Sequence, residues 1–388
     1  MDKKFVMGIA AMAALTLVSC SSDDLDSFSG NSSKNEAISF DGYLGRSAVA
    51  VNGTRGSVLE KDDLKKSTDG FGVFGKYTPT EGQPSDFFVN QKVTYSTTTS
   101  KWTYTPLRYW PTNGKIDFFA YAPHKEEQKL KANTTTFDFT VDKDIAKQKD
   151  LLWANATGQI TGKFEGTTKE KVTFLFKHAL SRLGYTVKLS GDYKSSDATF
   201  TLKKITLAGS PDETTKAFYT MGTIDLAKTG TKEELSKTND AKGLWTAAPS
   251  ADNKQNFPWF SAGAQPVNIT YVDPNDQTKK PVSNGKDYLF VIPQDFSQTK
   301  TEGHDVDELY VIVEYNVTYT TTNTTITNKV YKQLPINLMQ GKAYMLNLTI
   351  GLPIEFDVDV DTVNGVDPWE EVNDGKGDID SWDDIERK

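Results

Sequence analysis

The residues able to do covalent or acid–base chemistry are few: one cysteine and three histidines in 388 residues. Cys20 follows a run that reads as a secretion signal, with Lys3 and Lys4 ahead of an apolar stretch from Phe5 to Val18 and small Ser19 just before the thiol. The stretch is too short to remain as a membrane-spanning helix. Leu17-Val18-Ser19-Cys20 has the pattern in which a thiol is lipidated and becomes the new N-terminus, so Cys20 is the expected lipidation site and residues 1–20 the lipoprotein signal. With no second cysteine, no intrachain disulfide forms. His124, His178 and His304 are scattered, and none stands with a reactive Cys or in a metal-ligand spacing. His178 reads as structural rather than as a base or ligand. Carboxylates are too abundant to single out a catalytic pair of the glycosidase type. Those of residues 374–384 lack the glycine and terminal glutamate spacing of a calcium loop and read as a solvated tail. No glycine-rich phosphate loop stands between a strand and a helix. The expectation is a protein with no catalytic centre, no metal and no cofactor.

Charge narrows the partners. Charged residues make up 25% of the chain, the net charge is -8 and the pI is about 5.2, which argues against a nucleic-acid surface. Residues 21–37, rich in Ser, Asn, Gly and Asp, have little to pack and suit a flexible tether; Ser21-Ser-Asp-Asp-Leu-Asp26 resembles the acidic stretch after the lipidated cysteine of outer-membrane lipoproteins, which implies export to the cell surface, against the alternative of a solvated linker. The chain beyond this tether is long enough for two cores.

From there the chain reads as strand after strand, an all-β pattern. Phe71–Phe74, Lys92–Tyr95, Lys101–Tyr104, Ile116–Tyr121, Thr136–Val141 and Val172–Phe176 are short aromatic and β-branched runs. In the second half Tyr185–Leu189, Phe200–Ile205, Val267–Tyr271, Tyr288–Ile292, Leu309–Tyr315, Thr327–Tyr331 and Tyr344–Ile350 have the same pattern. Lys92–Tyr95 and Lys101–Tyr104 form an expected hairpin. Ile38–Leu44 is an expected first strand, and Ile354, Phe356, Val358 and Val360 alternate with acids as in a half-buried strand. Helical spacing occurs only at Lys177–Arg182 and Thr231–Lys237. Near the first of these the period changes from two to helical, which marks a domain joint. Tyr109, Trp110, Phe118, Phe119 and Tyr121 could form a sugar-stacking platform, but aromatics inside strands more often fill a core.

Arg108-Tyr-Trp-Pro111 with Ile116-Asp-Phe-Phe-Ala-Tyr-Ala-Pro123, then Val172-Thr-Phe-Leu-Phe-Lys-His-Ala-Leu-Ser-Arg-Leu183, then Phe290-Val-Ile-Pro-Gln294 resemble, in order and spacing, the fimbrillin-like family of type V pilus proteins. Gly341-Lys-Ala-Tyr344 and Pro368-Trp369 add to the resemblance; Leu338-Met-Gln340, where an aromatic is common, and the acidic extension after Trp369 depart from it. The resemblance implies two transthyretin-like β-sandwich domains in series, expected at 38–177 and 178–369, with 370–388 as an acidic tail. It implies a lipoprotein precursor anchored in the outer membrane, removal of an N-terminal strand by an arginine-specific protease, and assembly with other pilus subunits by donor-strand exchange in the service of adhesion. Arg55 in the Thr54-Arg55-Gly56 loop is the first candidate for cleavage and Arg46 the second, because exposed flexible tips are where proteases act. The donor strand is expected in the C-terminal region, within Val372–Ile385, against the alternative that this stretch is only a solvated end. Lipidation, acidic tether and β content would also serve a surface lipoprotein that binds a glycan or protein of a host or bacterial surface.

Overall fold

A computed structural model describes residues 37–44, 63–160, 171–194, 196–229, 244–247, 253–276, 278–285, 287–298, 307–351 and 356–362. Cys20, Arg46, Arg55, Thr231–Lys237, Pro368-Trp369 and Val372–Ile385 lie outside these residues.

Alternating apolar residues dictate the architecture of the first half. Strands β1 (Phe40–Leu44), β2 (Phe71–Thr78), β3 (Ser85–Ser96), β4 (Lys101–Thr103), β5 (Lys115–Ala122), β7 (Leu152–Ile160) and β8 (Val172–His178) form one sheet in the order β1-β8-β7-β5-β2-β3-β4. The expected hairpin is β3–β4, with Thr94 opposite Thr103. The sheet curls until β1 lies against β4, its opposite end. Strand β5 is buried on both faces, because successive side chains point to opposite sides. Ile116, Phe118 and Ala120 enter the core enclosed by the curled sheet, together with Phe40, Phe71, Phe88, Phe174 and Phe176. Phe119 and Tyr121 point the other way, into a second cluster with Phe137, Trp153, Trp245, Phe290 and Ile292.

That second cluster joins the two halves of the chain. Strand β6 (Thr136–Thr140) leaves the first sheet and pairs antiparallel with Met221–Asp225, which in turn pairs with Trp245–Ala247. Polar groups tie the same seam: Gln148 Oε1 accepts from the Phe290 amide at 2.9 Å, Asn155 donates to the Leu226 carbonyl at 2.9 Å, and the Trp245 indole donates to the Ala179 carbonyl at 2.5 Å.

In the second half two sheets contribute to a third core. Strand β9 (Ser181–Leu189) lies beside Ala343–Ile350, in parallel, and the latter pairs with Phe356–Thr362. Strand β10 (Ala198–Ala208) pairs with Phe257–Ser261 and Tyr310–Tyr319, and Thr324–Gln333 lies at the edge. Tyr185 and Val187 from one sheet and Ile205, Leu207, Val311 and Val313 from the other share that core.

The helix expected at Lys177–Arg182 does not form. Residues 172–178 and 181–189 are strands, joined by a corner at Ala179-Leu180. The helical spacing arises because the chain passes from one core to another there: Ala179 and Leu180 enter the seam cluster, and Leu183 enters the second-half core. The corner is pinned by the Ala179 amide on the Leu151 carbonyl at 2.8 Å and the Gly341 amide on the Leu180 carbonyl at 2.9 Å.

Candidate functional site

Of the residues with potential for chemistry, Cys20 and His304 lie outside the described residues, and His124 and His178 are buried. His178 is 1% exposed, with Nδ1 2.6 Å from Asp150 Oδ2, and both side chains are sealed from solvent at the start of β7 and the end of β8. Trp110, Phe118, Phe119 and Tyr121 are buried in cores, while Tyr109 alone of that group is exposed, at 49%. Burial pushes the Tyr121 phenol up to about 12, with the Lys125 carbonyl and Asn90 side chain it bonds pulling the other way, so it stays protonated and serves as a structural donor.

The unusual feature lies in how β1 is seated. It is an end strand that pairs in parallel with β8, Phe40 opposite Val172 through Leu44 opposite Phe176. Its parallel partner β8 lies far along the chain, and β1 is joined to the next strand, β2, through residues 45–70. Its other flank meets the opposite end of the curled sheet. The Ile38 amide donates to the Arg108 carbonyl at 2.8 Å, Ala37 bridges Tyr109, and the Tyr104 phenol donates to the Ile38 carbonyl at 2.8 Å. Burial raises the Tyr104 phenol, with the Arg108 backbone bond opposing, which keeps it a donor.

Inward residues alternate along β1, as strand geometry requires. Ile38, Phe40 and Leu44 are 1%, 3% and 1% exposed, whereas Tyr43 on the outer face is 43% exposed. Phe40 sits among four rings, those of Tyr104, Phe88, Phe118 and Phe174, with centroids 5.4, 5.5, 5.6 and 5.7 Å away. Burying each such side chain is worth about 1.5–3 kcal/mol. Without β1 the β8 edge would present unpaired backbone groups, and the first core would open onto an aromatic groove. The arrangement is a seat for one extended segment: main-chain hydrogen bonds on one side, side-chain pockets beneath.

Sequence reading located this strand from its alternation, but missed that it pairs in parallel and that Tyr104 and Arg108 hold it. The Arg108-Tyr-Trp-Pro motif was the available signal, since its backbone forms the second flank. Cys20, Arg46 and Arg55 are not placed relative to the seat, because they lie outside the described residues.

The sequence profile of fimbrillin-like proteins matches residues 54–369, a span that begins beyond β1. The chain is 27% identical over 377 residues to the fimbrium subunit Fim1C of Phocaeicola vulgatus, covering 88% of this chain and 91% of that protein. Its fold is similar to the crystal structure of a fimbrial protein from Bacteroides vulgatus, with a TM-score of 0.58 at 20% identity over 84% of this chain and 99% of the other. The match to the family profile extends over most of the length, and the chain therefore belongs to the fimbrillin-like family.

Proposed function

We propose that this chain is a non-catalytic fimbrium subunit of the cell surface that assembles with other pilus subunits by surrendering β1 and taking an equivalent strand from a neighbour. It is exported as a lipoprotein through Cys20, held at the outer membrane until an arginine-specific protease cuts after Arg55 or Arg46, and built as two β-sandwich domains in series, residues 38–177 and 178–369. Cleavage in the 45–62 connection severs β1 and the lipid-bearing end together, which frees the subunit and opens the seat in one step. The donor comes from the C-terminal region of the neighbouring subunit, within residues corresponding to Val372–Ile385.

The observation that carries this reading is the seating of β1. A strand is fixed by side-chain burial and edge hydrogen bonds in a place that any extended segment of suitable pattern can fill by strand addition. The fimbrial name of the related Phocaeicola protein supports the same reading.

Arginine-specific protease treatment of the full-length chain in the presence of its companion subunits tests the proposal. High-mass ladders on unheated denaturing gels are expected, and their loss is expected when Arg46 and Arg55 are both changed to Ala. A protein that stays monomeric after complete cleavage would refute assembly by strand replacement.

A further inference from the structure

The seat of β1 does not treat its inward positions alike. Ile38, Phe40 and Leu44 each fill a pocket, but the position between the last two is closed. A Cβ on Gly42 would lie 3.0 Å from Phe71 Cε1 and 3.2 Å from Phe176 Cε2. Both rings are fully buried and backed by others: Phe71 meets Trp102 at 4.9 Å and Phe174 at 5.8 Å, and Phe71 and Phe176 meet at 5.3 Å. Gly42 is not among the residues with positive φ, so glycine is needed there for space rather than for backbone conformation. A β-branched residue would carry two further carbons into a close-packed ring cluster.

The chain's own late strand is a near copy of β1 in every inward position but this one. Ile354-Glu-Phe-Asp-Val-Asp-Val360 matches Ile38-Ser-Phe-Asp-Gly-Tyr-Leu44 with Ile354 for Ile38, Phe356 for Phe40, Asp357 for Asp41 and Val360 for Leu44, while Val358 stands for Gly42. Reversing the strand, or sliding it by two residues, puts Phe356 or Val360 at the closed position instead. Gly365, Gly375 and Gly377, further along, are flanked two residues away by Val363 and Asp367, Asn373 and Gly377, and Gly375 and Ile379. None of them has an apolar side chain on both sides. Phe356–Thr362 is moreover engaged at home, where Val358 and Val360 pack on the second-half core, Lys332 pairs with Asp357, and Asn347 donates to Asp361 at 2.6 Å.

Resting on the strand-replacement reading above, we infer that the vacated seat selects an extended segment with aliphatic, aromatic, glycine and aliphatic residues at successive inward positions, and that it rejects this chain's own C-terminal segments. The incoming strand therefore belongs to a different subunit, not to a second copy. Val358 is the residue that bars the late strand from this seat, so that subunits stack in a set order rather than as a homopolymer.

Fluorescent peptides distinguish the possibilities. The full-length chain is cleaved with an arginine-specific protease, β1 is displaced in urea, and the protein is returned to buffer with one of four peptides. These are residues 37–45, the same peptide with Gly42→Val, residues 353–362, and that peptide with Val358→Gly. Residues 37–45 and the Val358→Gly peptide are expected to bind, and their valine counterparts to bind about tenfold or more weakly. Equal binding of the two members of each pair would overturn the glycine selection while leaving strand replacement standing. Failure of the 37–45 peptide itself to bind would remove the strand-replacement reading and this inference with it.

Discussion

Tyr104 holds β1 through one phenolic hydrogen, donated to the Ile38 carbonyl at 2.8 Å, while its ring forms one wall of the Phe40 pocket. Tyr104→Phe keeps the wall and removes the donor, leaving a buried carbonyl less well satisfied. A loss of about 0.5–1.5 kcal/mol in urea unfolding is expected, together with faster departure of β1 from the cleaved chain. Unchanged stability and release would mean that the Tyr104 hydroxyl does not grip the strand. At this scale the sequence was partly legible. Ile38, Phe40 and Leu44 declare an inward face by their spacing alone. Gly42 does not, since a strand glycine of ordinary φ reads as a turn or a weakness. Its reason resides in Phe71 and Phe176, which are remote in sequence and reach it only through the fold. His178 could be set aside as structural from the lack of chemical partners, but Asp150, which faces it, could not be picked from so many acids.

Strand β6 shows what an element owes to distant partners. Its Thr-Phe-Asp-Phe-Thr alternation announces a strand, and Phe137 and Phe139 are buried as that pattern requires. That it abandons the first sheet to pair with Met221–Asp225 is not written locally. Asp138 on β6 accepts from Lys131 at 2.7 Å and from Thr223, on the partner strand, at 2.6 Å, and these bonds, that of Lys131 foremost, hold its carboxyl below the usual value of 3.8. A carboxyl depressed on folding stabilises at pH above its unfolded value, and that contribution disappears as pH falls through the folded value. The seam should therefore loosen below about pH 4. Hydrogen exchange at residues 221–225, corrected for intrinsic rates, should show less protection at pH 3 than at pH 6 in the wild type. That difference should shrink in Asp138→Asn; an identical loss in the variant would place the acid sensitivity elsewhere. Strand β7 escaped sequence reading for a related reason. Leu152, Trp153 and Ala154 are buried on both faces, so the polar alternation that marks a half-exposed strand is missing. The corner at Ala179-Leu180 misled in the opposite direction, because two cores meeting at one turn produce helical spacing without a helix.

At the scale of the whole molecule, β1 closes one edge of the first sheet. Aromatic packing around Phe40 fixes β1, and the proposed cut between β1 and β2 would leave the remaining six strands of the first sheet covalently continuous. All-β character and family were readable in the alternation and in the Arg-Tyr-Trp-Pro, Phe-Lys-His-Ala-Leu and Phe-Val-Ile-Pro-Gln segments. The seam was not, because it is made by β6 and by strands whose pairing crosses between the two halves. Assembly is proposed to replace β1. Mass spectrometry and N-terminal sequencing of the chain recovered from sheared surface fimbriae, compared with the membrane-bound form of the same cells, test it most directly. A membrane form that begins at lipid-bearing Cys20 is expected, and a fimbrial form that begins at Gly56 or Ser47 and lacks Ile38–Leu44. Fimbriae whose copies of this chain all retain Ile38–Leu44 would contradict it.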